Sequence, residues 1–252
     1  MPLTNRLDEL SRYKDRLDAY RPFSAEVTAE LRERFTVRLT HHSTAIEGNT
    51  LTQSETQIVI EKGVTIGGKT VQEHLEVIGH QQALSYLIDL VNPSEPLTER
   101  VIRELHSLVM QGQEHSAIGA YRLLNVMAAG TEFRYPDHLK VPELMAEFVS
   151  WWNQPAQVHP VLWAAEAHLR FVTIHPFQDG NGRVGRLLLN LALIRHGYTI
   201  AVIPVQRRAE YIAALEAAQT GRGMNLLTTL VVDAVEATLQ ETLDVCDSEA
   251  RA

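Results

Sequence analysis

The chain has 252 residues, 45% hydrophobic and 21% charged, enough for a sizeable core in one large domain or two small ones. Its formal net charge of −8 disfavours nonspecific binding to nucleic acid and to anionic membrane surfaces. A single cysteine, Cys246, excludes an internal disulfide and a cysteine-based metal cluster.

No apolar run reaches the roughly 18 residues of a membrane span, and the first residues lack a signal-peptide core, so a cytoplasmic protein is the default expectation. No internal repeat, low-complexity tract or Ser/Gly/Pro linker divides the chain. Residues 4–20 are charged, with Leu at 7, 10 and 17, and read as a solvent-facing helix. After Pro22, Ser24 is a reasonable N-cap for a second helix to Leu39. That helix points towards STAIEGNTLT, residues 43–52. Ser43 and Glu47, four apart, face the same way on a helix that Gly48 and Asn49 end. Taken alone, this is a helix finishing in an acid.

Thr52-Gln53-Ser54-Glu55 has capping-box spacing and opens a helix to about Glu61. Residues 63–70, GVTIGGKT, then fit the P-loop pattern GxxxxGK[ST] residue for residue. A P-loop needs a buried strand before its glycines and a parallel sheet around them, and the chain offers almost no strands. A loop or small hairpin is the expectation, with this stretch the runner-up nucleotide site. Helices are expected over 72–91, ended by Asn92-Pro93, and from Pro96-Leu97-Thr98 to about Gln111, where His106 reads as a satisfied histidine. Residues 123–140 are less helical, and Asn125–Gly130 with Thr131–Tyr135 could cross as a small hairpin. An amphipathic helix follows over 141–152, its Trp151 and Trp152 closing the core.

Residues 161–174 read as a core helix, residues 183–195 as a buried central one, and between them lies HPFQDGNGRVGR, residues 175–186. Pro176 biases His175 away from helical angles. Gly180, Asn181 and Gly182 can take unusual backbone angles that converge amide N–H groups on an anion. The helix start adds roughly +0.5 of an elementary charge. Arg183 and Arg186 stand one turn apart on the same face, so the set suits a polyphosphate. Asp179 is a hard oxygen ligand for Mg²⁺, and His175, with an ordinary pKa of about 6.5, suits a general base. His159, His168 and His175 lack the further ligand spacing zinc requires. Helices over 207–219 and 226–243 complete the chain, after a connector over 198–205.

HPFQDGNGRVGR resembles the Fic-domain motif HxFx(D/E)GNGRxxR at every fixed position, and STAIEGNTLT resembles the inhibitory motif (S/T)xxxE(G/N) of Fic proteins whose inhibitory helix precedes the catalytic domain. The resemblance covers roughly residues 20–240. It implies an all-α fold, a Fic-type helical core with a small β-hairpin flap, and transfer of AMP from ATP to a Ser, Thr or Tyr hydroxyl. His175 would be the base, Phe177 the anchor of the loop and Asp179 the Mg²⁺ ligand. Gly180, Asn181 and Gly182 would cradle phosphates, with Arg183 and Arg186 on the β- and γ-phosphates. Relatives that transfer phosphate to an elongation factor carry Lys in place of the second glycine, so Gly182 argues against that branch. Tyr211 and Gln219 fall near the adenine pocket, although Gln219 replaces an expected Asn. The flap, around residues 123–136, would hold a target segment by strand addition.

The same resemblance implies that Glu47, beside Ser43, pairs bidentately with Arg186 and takes the space of the γ-phosphate. If closure were worth about 3 kcal/mol, productive ATP binding would fall roughly a hundredfold. The chain is thus expected to be a self-inhibited protein adenylyltransferase that uses Mg-ATP and modifies a target protein, itself included. A hydrolase removing AMP with Glu47, and a nucleotide-sensing interaction module, are the alternatives. Residues 1–60 would carry the N-terminal helices, with the inhibitory helix at about 41–48. Residues 61–245 would be the catalytic core, packed with them as one unit, and 246–252 a tail. Neither nucleic acid nor membrane is an expected partner; a homodimer that holds the inhibitory helix shut fits the scheme.

Overall fold

The computed structural model describes residues 2–92, 95–112, 117–127 and 133–251. These form ten α-helices: α1 (Leu3–Asp18), α2 (Ala25–Ile46), α3 (Gln53–Lys62), α4 (Val71–Asp89), α5 (Glu99–Val109), α6 (Val141–Trp152), α7 (Pro160–Ile174), α8 (Asn181–Arg195), α9 (Arg208–Gln219) and α10 (Asn225–Glu249). No strand occurs among the described residues, so the fold is all-helical there. The expected hairpin lies partly outside the described residues, and its described parts, 125–127 and 133–135, form no paired ladder. Residues 122–127 and 133–137 are instead tied through the side chains of Arg122 and Asn125, and the connecting residues 128–132 fall outside the described ones.

Local chemistry accounts for most helix ends. The Ser24 hydroxyl accepts from the Val27 N–H at 3.1 Å. Thr52 and Glu55 form the reciprocal capping box, and Thr70 with Glu73 form a second that opens α4. The centre is α8, whose residues 187–193 are all buried. The one polar side chain in that run, Asn190, donates to Arg186 O and Ala201 O. α8 packs mainly on α7, to which the turn joins it, and one continuous apolar cluster runs from Leu7 in α1 to Cys246 in α10.

Three expectations change. α1 is solvent-facing on one side only: Leu7, Leu10 and Leu17 are buried, the helix packs on α10, and Arg6 pairs with Asp233 at 2.7 Å. α10 continues through Cys246 to Glu249, so most of the expected tail is helix, held by the burial of Cys246. α2 does not stop near Leu39 but continues through the poor helix formers Thr40–Thr44 to Ile46. Burial of Leu39, Thr40, Ser43, Thr44 and Ile46 outweighs that propensity, and the Thr44 hydroxyl returns to Thr40 O at 2.9 Å.

Candidate active site

The turn between α7 and α8 starts with His175 in the left-handed region, φ 52°, as the C-cap of α7. The Pro176 bias away from helical angles is therefore expressed as a helix stop. Asn181 then stitches the loop. Its Oδ1 accepts from Phe177 N and its Nδ2 donates to Phe177 O, both at 2.9 Å. With its side chain used in this way and buried, Asn181 shapes the loop, and only its main chain is left to face a phosphate. Phe177 is wholly buried and anchors the loop as expected. Of the three turn residues only Gly180 is left-handed, φ 76°, while Asn181 and Gly182 already belong to α8. A side chain on Gly180 would strike Met110 Sδ at 2.8 Å.

His175 is half-buried, and its Nδ1 lies 3.3 Å from Val172 O, an acceptor, which assigns the proton to Nδ1 and leaves the Nε2 lone pair free. Burial pushes its pKa down to about 4, so the ring is neutral at physiological pH. Asp179 is turned outward, its side chain 55% exposed, with Oδ1 accepting from Gly180 N at 2.6 Å and lying 3.4 Å from Arg183 Nη2. Its Oδ2 has no partner among the described residues. One outward carboxylate oxygen beside a phosphate site is the donor set Mg²⁺ takes, since it binds through one or two carboxylates and completes its shell with phosphate and water.

Arg183 and Arg186 are both buried, and they differ in company. Arg183 Nη2 reaches only Met110 Sδ at 3.4 Å besides Asp179, and its Nε and Nη1 have no partner among the described residues. Arg186 is fully engaged. Nε donates to Ser43 Oγ at 3.0 Å, Nη2 to Ser43 O and Glu47 Oε1, both at 2.7 Å, and Nη1 to Tyr211 Oη at 3.4 Å. The Glu47 contact is one nitrogen to one oxygen, not the bidentate fork expected, because Ser43 holds the other edge of the guanidinium. The carboxylate lies over the first turn of α8: a Cβ on Gly182 would stand 2.3 Å from Glu47 Oε1. A side chain at Gly182 would thus have to displace the Glu47 carboxylate.

Tyr211 is not placed for a nucleotide. It is 1% exposed, beneath Arg186, with its hydroxyl 2.8 Å from His168 Nε2 and its ring centre 5.8 Å from the guanidinium carbon. It supports Arg186 from behind. Gln219 lines a separate cavity of about 410 Å³ with Phe148, Leu169, Ile174 and Met224. Of the other histidines, His159 caps α7 and bonds Ser11 and Tyr198, and His168 serves Tyr211.

Three residues of the site carried no functional signal in the sequence. His106 Nδ1 accepts from Gly119 N at 2.9 Å, so Nε2 donates to Asp179 O at 3.1 Å, while the ring stacks on Phe177 at 3.7 Å. Arg122 donates to His175 O at 2.8 Å, Leu124 O at 3.0 Å and Pro136 O at 2.5 Å, and its main-chain N–H reaches Pro176 O at 2.9 Å. Tyr135 stacks on His175 with ring centres 4.0 Å apart.

A helix start with two buried arginines and a neutral histidine beside it is the site's geometry in this helical protein. Residues 96–193 match the Fic/DOC family. Fic-1 from C. elegans superposes with a TM-score of 0.89 at 30% identity, covering 98% of this chain and 73% of that one. A Fic domain containing signaling protein from Bacteroides thetaiotaomicron gives 0.89 at 26% identity, covering 96% and 97%. The chain belongs to the Fic/DOC family. It is also 35% identical over 236 residues to the Protein adenylyltransferase Fic of Drosophila grimshawi, covering 93% of this chain and 48% of that protein. The chain spans about half the length of the curated relatives it matches. No helix among the described residues is long and apolar enough to cross a membrane.

Proposed function

We propose that this chain is a self-inhibited protein adenylyltransferase, transferring AMP from Mg-ATP to a Ser, Thr or Tyr hydroxyl of a target protein, itself included. One observation carries the reading: the Glu47 carboxylate lies on the first turn of α8 and holds Arg186, while Arg183 beside it keeps two buried N–H groups unanswered. An anion site is half filled by the chain's own anion, and buried donors left without partners call for a ligand.

In the transfer, the target hydroxyl oxygen forms a bond to the α-phosphorus. The bond from that phosphorus to the pyrophosphate oxygen breaks, and the hydroxyl proton passes to His175 Nε2. Arg183 and Arg186 bind the departing phosphates, and α8 presents its N-terminal amides to them. Mg²⁺ on Asp179 supplies charge neutralisation on the phosphate oxygens when bound. The residues on either side of 128–132 form the flap against which a target segment lies.

Inhibition follows from the same contacts. The end of α2 is docked by Ile46, which packs with Ile203, Tyr211, Ala214, Leu227 and Leu230, and by Arg208 Nε, which donates to Ile46 O at 2.6 Å. Undocking the helix would expose Ile46, at about 1.5–3 kcal/mol, and lose these bonds as well. Swinging out the Glu47 side chain, 38% exposed, forfeits a single charge-assisted bond, about 1.5–3 kcal/mol before solvent screening reduces it. Side-chain rotation is therefore the cheaper route to opening.

A second reading, removal of AMP from a modified protein, is favoured by one feature: Glu47 Oε2 has no partner among the described residues and can orient a water. Incorporation of label from ATP marked at its α-phosphate separates the two. Strong labelling by Glu47→Gly over a weak unsubstituted chain supports transfer and latch together. Labelling by neither, with Glu47-dependent release of AMP from a pre-modified protein, would replace the transferase by the hydrolase.

A further inference from the structure

The three arginines of α2 differ in company. Arg34 pairs with Glu30 at 2.6 Å and Glu241 at 3.2 Å, and Arg38 pairs with Glu241 at 2.6 Å. Arg32 is exposed, and its guanidinium has neither hydrogen bond nor ion pair among the described residues. One turn away in each direction stand Thr28 and Thr36 instead of acids, and their hydroxyls are equally unbonded there. All three side chains line a cavity of about 320 Å³ between α2, the C-terminal ends of α4 and α8, and residues 198–200. Phe23, Phe35, Leu84, Ile88, Ile194 and Ile200 make most of its wall, and no described acid lines it. The second cation at its edge, Arg21, is already spent on Asp18 Oδ1 and Gly197 O, both at 2.8 Å.

An apolar chamber with a few polar groups gathered at one edge is the general form of a small-molecule site. We propose that this cavity binds an amphipathic monocarboxylic acid of the fatty-acid class. Its chain lies between α2 and the core, and its carboxylate meets Arg32 between the Thr28 and Thr36 hydroxyls. A guanidinium fork matches a carboxylate in shape, and one unpaired cation matches its single charge. A phosphate ester would bring more charge and more oxygens than this edge can answer, because the amides of residues 28–36 are spent inside α2. The site stands apart from the α7–α8 turn. Phe35 and Glu47 are twelve residues apart along α2 and its cap, about 18 Å at helical rise, so the acid does not stand in for the nucleotide.

The test titrates the full chain by calorimetry with dodecanoate, below its micellar range. Dodecyltrimethylammonium, with the same chain and the opposite charge, is the control. One dodecanoate per chain is expected, with a Kd of roughly 10–100 µM, the reach of a ligand of this size. The cation should bind at least about tenfold more weakly, although the net charge of −8 favours it elsewhere on the surface. Arg32→Ala should weaken dodecanoate by about three- to tenfold, the worth of a charge-assisted bond at an exposed edge. Its melting temperature should stay unchanged, since the side chain is exposed and unbonded. Arg12→Ala, an exposed arginine of α1 outside the cavity, should bind dodecanoate as the unsubstituted chain does. No saturable binding at millimolar dodecanoate, equal affinity for anion and cation, or an equal loss in Arg12→Ala overturns the inference. A dimer that Arg32→Glu disperses, with no dodecanoate bound, would give the cavity to a second copy instead.

Discussion

Residues 63–70 and residues 180–186 both offer glycines, a cation and a helix start, and only the second leaves buried cationic donors unmet among the described residues. At the first, Thr70 and Glu73 cap α4 with their own side chains, Ile66 N donates to His74 Nε2 at 2.8 Å, and Lys69 donates to Thr50 O at 2.6 Å. These donors are spent within the chain, and α3 rather than a strand precedes them. At the second, α8 has no side-chain cap, and Arg183 keeps two buried nitrogens unanswered. A helix N-terminus becomes a ligand site when the chain leaves its donors unmet, whatever glycine pattern precedes it.

The strongest way to break this contrast is to remove the base that only the second region has. His175→Ala should lower AMP transfer by about 10²–10⁴-fold, the usual worth of general base catalysis, with ATP affinity preserved. Transfer at the unsubstituted rate would sink the assignment. Next in size is the occupant of the site. Glu47→Gly should tighten ATP binding by up to roughly a hundredfold, measured by calorimetry, since one charge-assisted bond and a competing carboxylate disappear together. Unchanged affinity would remove Glu47 from the nucleotide path.

Acid should weaken the fold in part through the second region. His106, His168 and His175 all lie against the α7–α8 turn or α8, and burial holds each pKa at about 4. Because these values are below the ordinary 6.5, the unfolded chain binds more protons than the folded one between about pH 6.5 and pH 4. Stability is therefore full above pH 6.5 and declines as pH falls through that window, by roughly 1.4 kcal/mol per pH unit for each proton taken up. A melting temperature that falls by several degrees per pH unit below about 6.5 is the expected result; a flat profile down to about pH 4.5 would contradict it.

What the sequence disclosed follows the same division. The motif from His175 to Arg186 and the caps at Ser24 and Thr52 were legible because each is a local pattern whose chemistry acts within a few residues, whereas the pairing of Glu47 with Arg186 came only from the resemblance of STAIEGNTLT to an inhibitory motif. His106, Arg122 and Tyr135 were not, because they serve the site through main-chain bonds and ring stacking that the fold alone brings together. Tyr211 was assigned to the ligand and belongs behind Arg186, since spacing along α9 does not reveal which side of the guanidinium it faces. The length of α2 was underestimated for a related reason: local propensity breaks at Thr40–Thr44, and tertiary burial restores the helix.

That placement of Tyr211 gives a smaller effect to measure. Tyr211→Phe removes the acceptor of Arg186 Nη1 and the partner of His168 Nε2 while keeping the ring under the guanidinium. In the Glu47→Gly background the KM for ATP should rise about three- to tenfold, the worth of one net hydrogen bond, with kcat changed less. Loss of kcat at constant KM would instead place the hydroxyl at the reacting atoms.

The smallest effect belongs to the first region and completes the contrast. Lys69→Ala should leave both ATP affinity and AMP transfer unchanged, because its ammonium is tied to Thr50 O and Oγ1 and stands 3.9 Å from Glu55. Its cost should be confined to stability, at most about 1 kcal/mol for an exposed polar contact of this kind. A P-loop lysine, by contrast, grips the phosphates directly, so a loss of ATP binding in this variant would move the nucleotide site to residues 63–70. Thr70→Ala separates the two roles further: it removes a cap, at about 1 kcal/mol of stability, and should not touch nucleotide binding if the hydroxyl belongs to α4 alone.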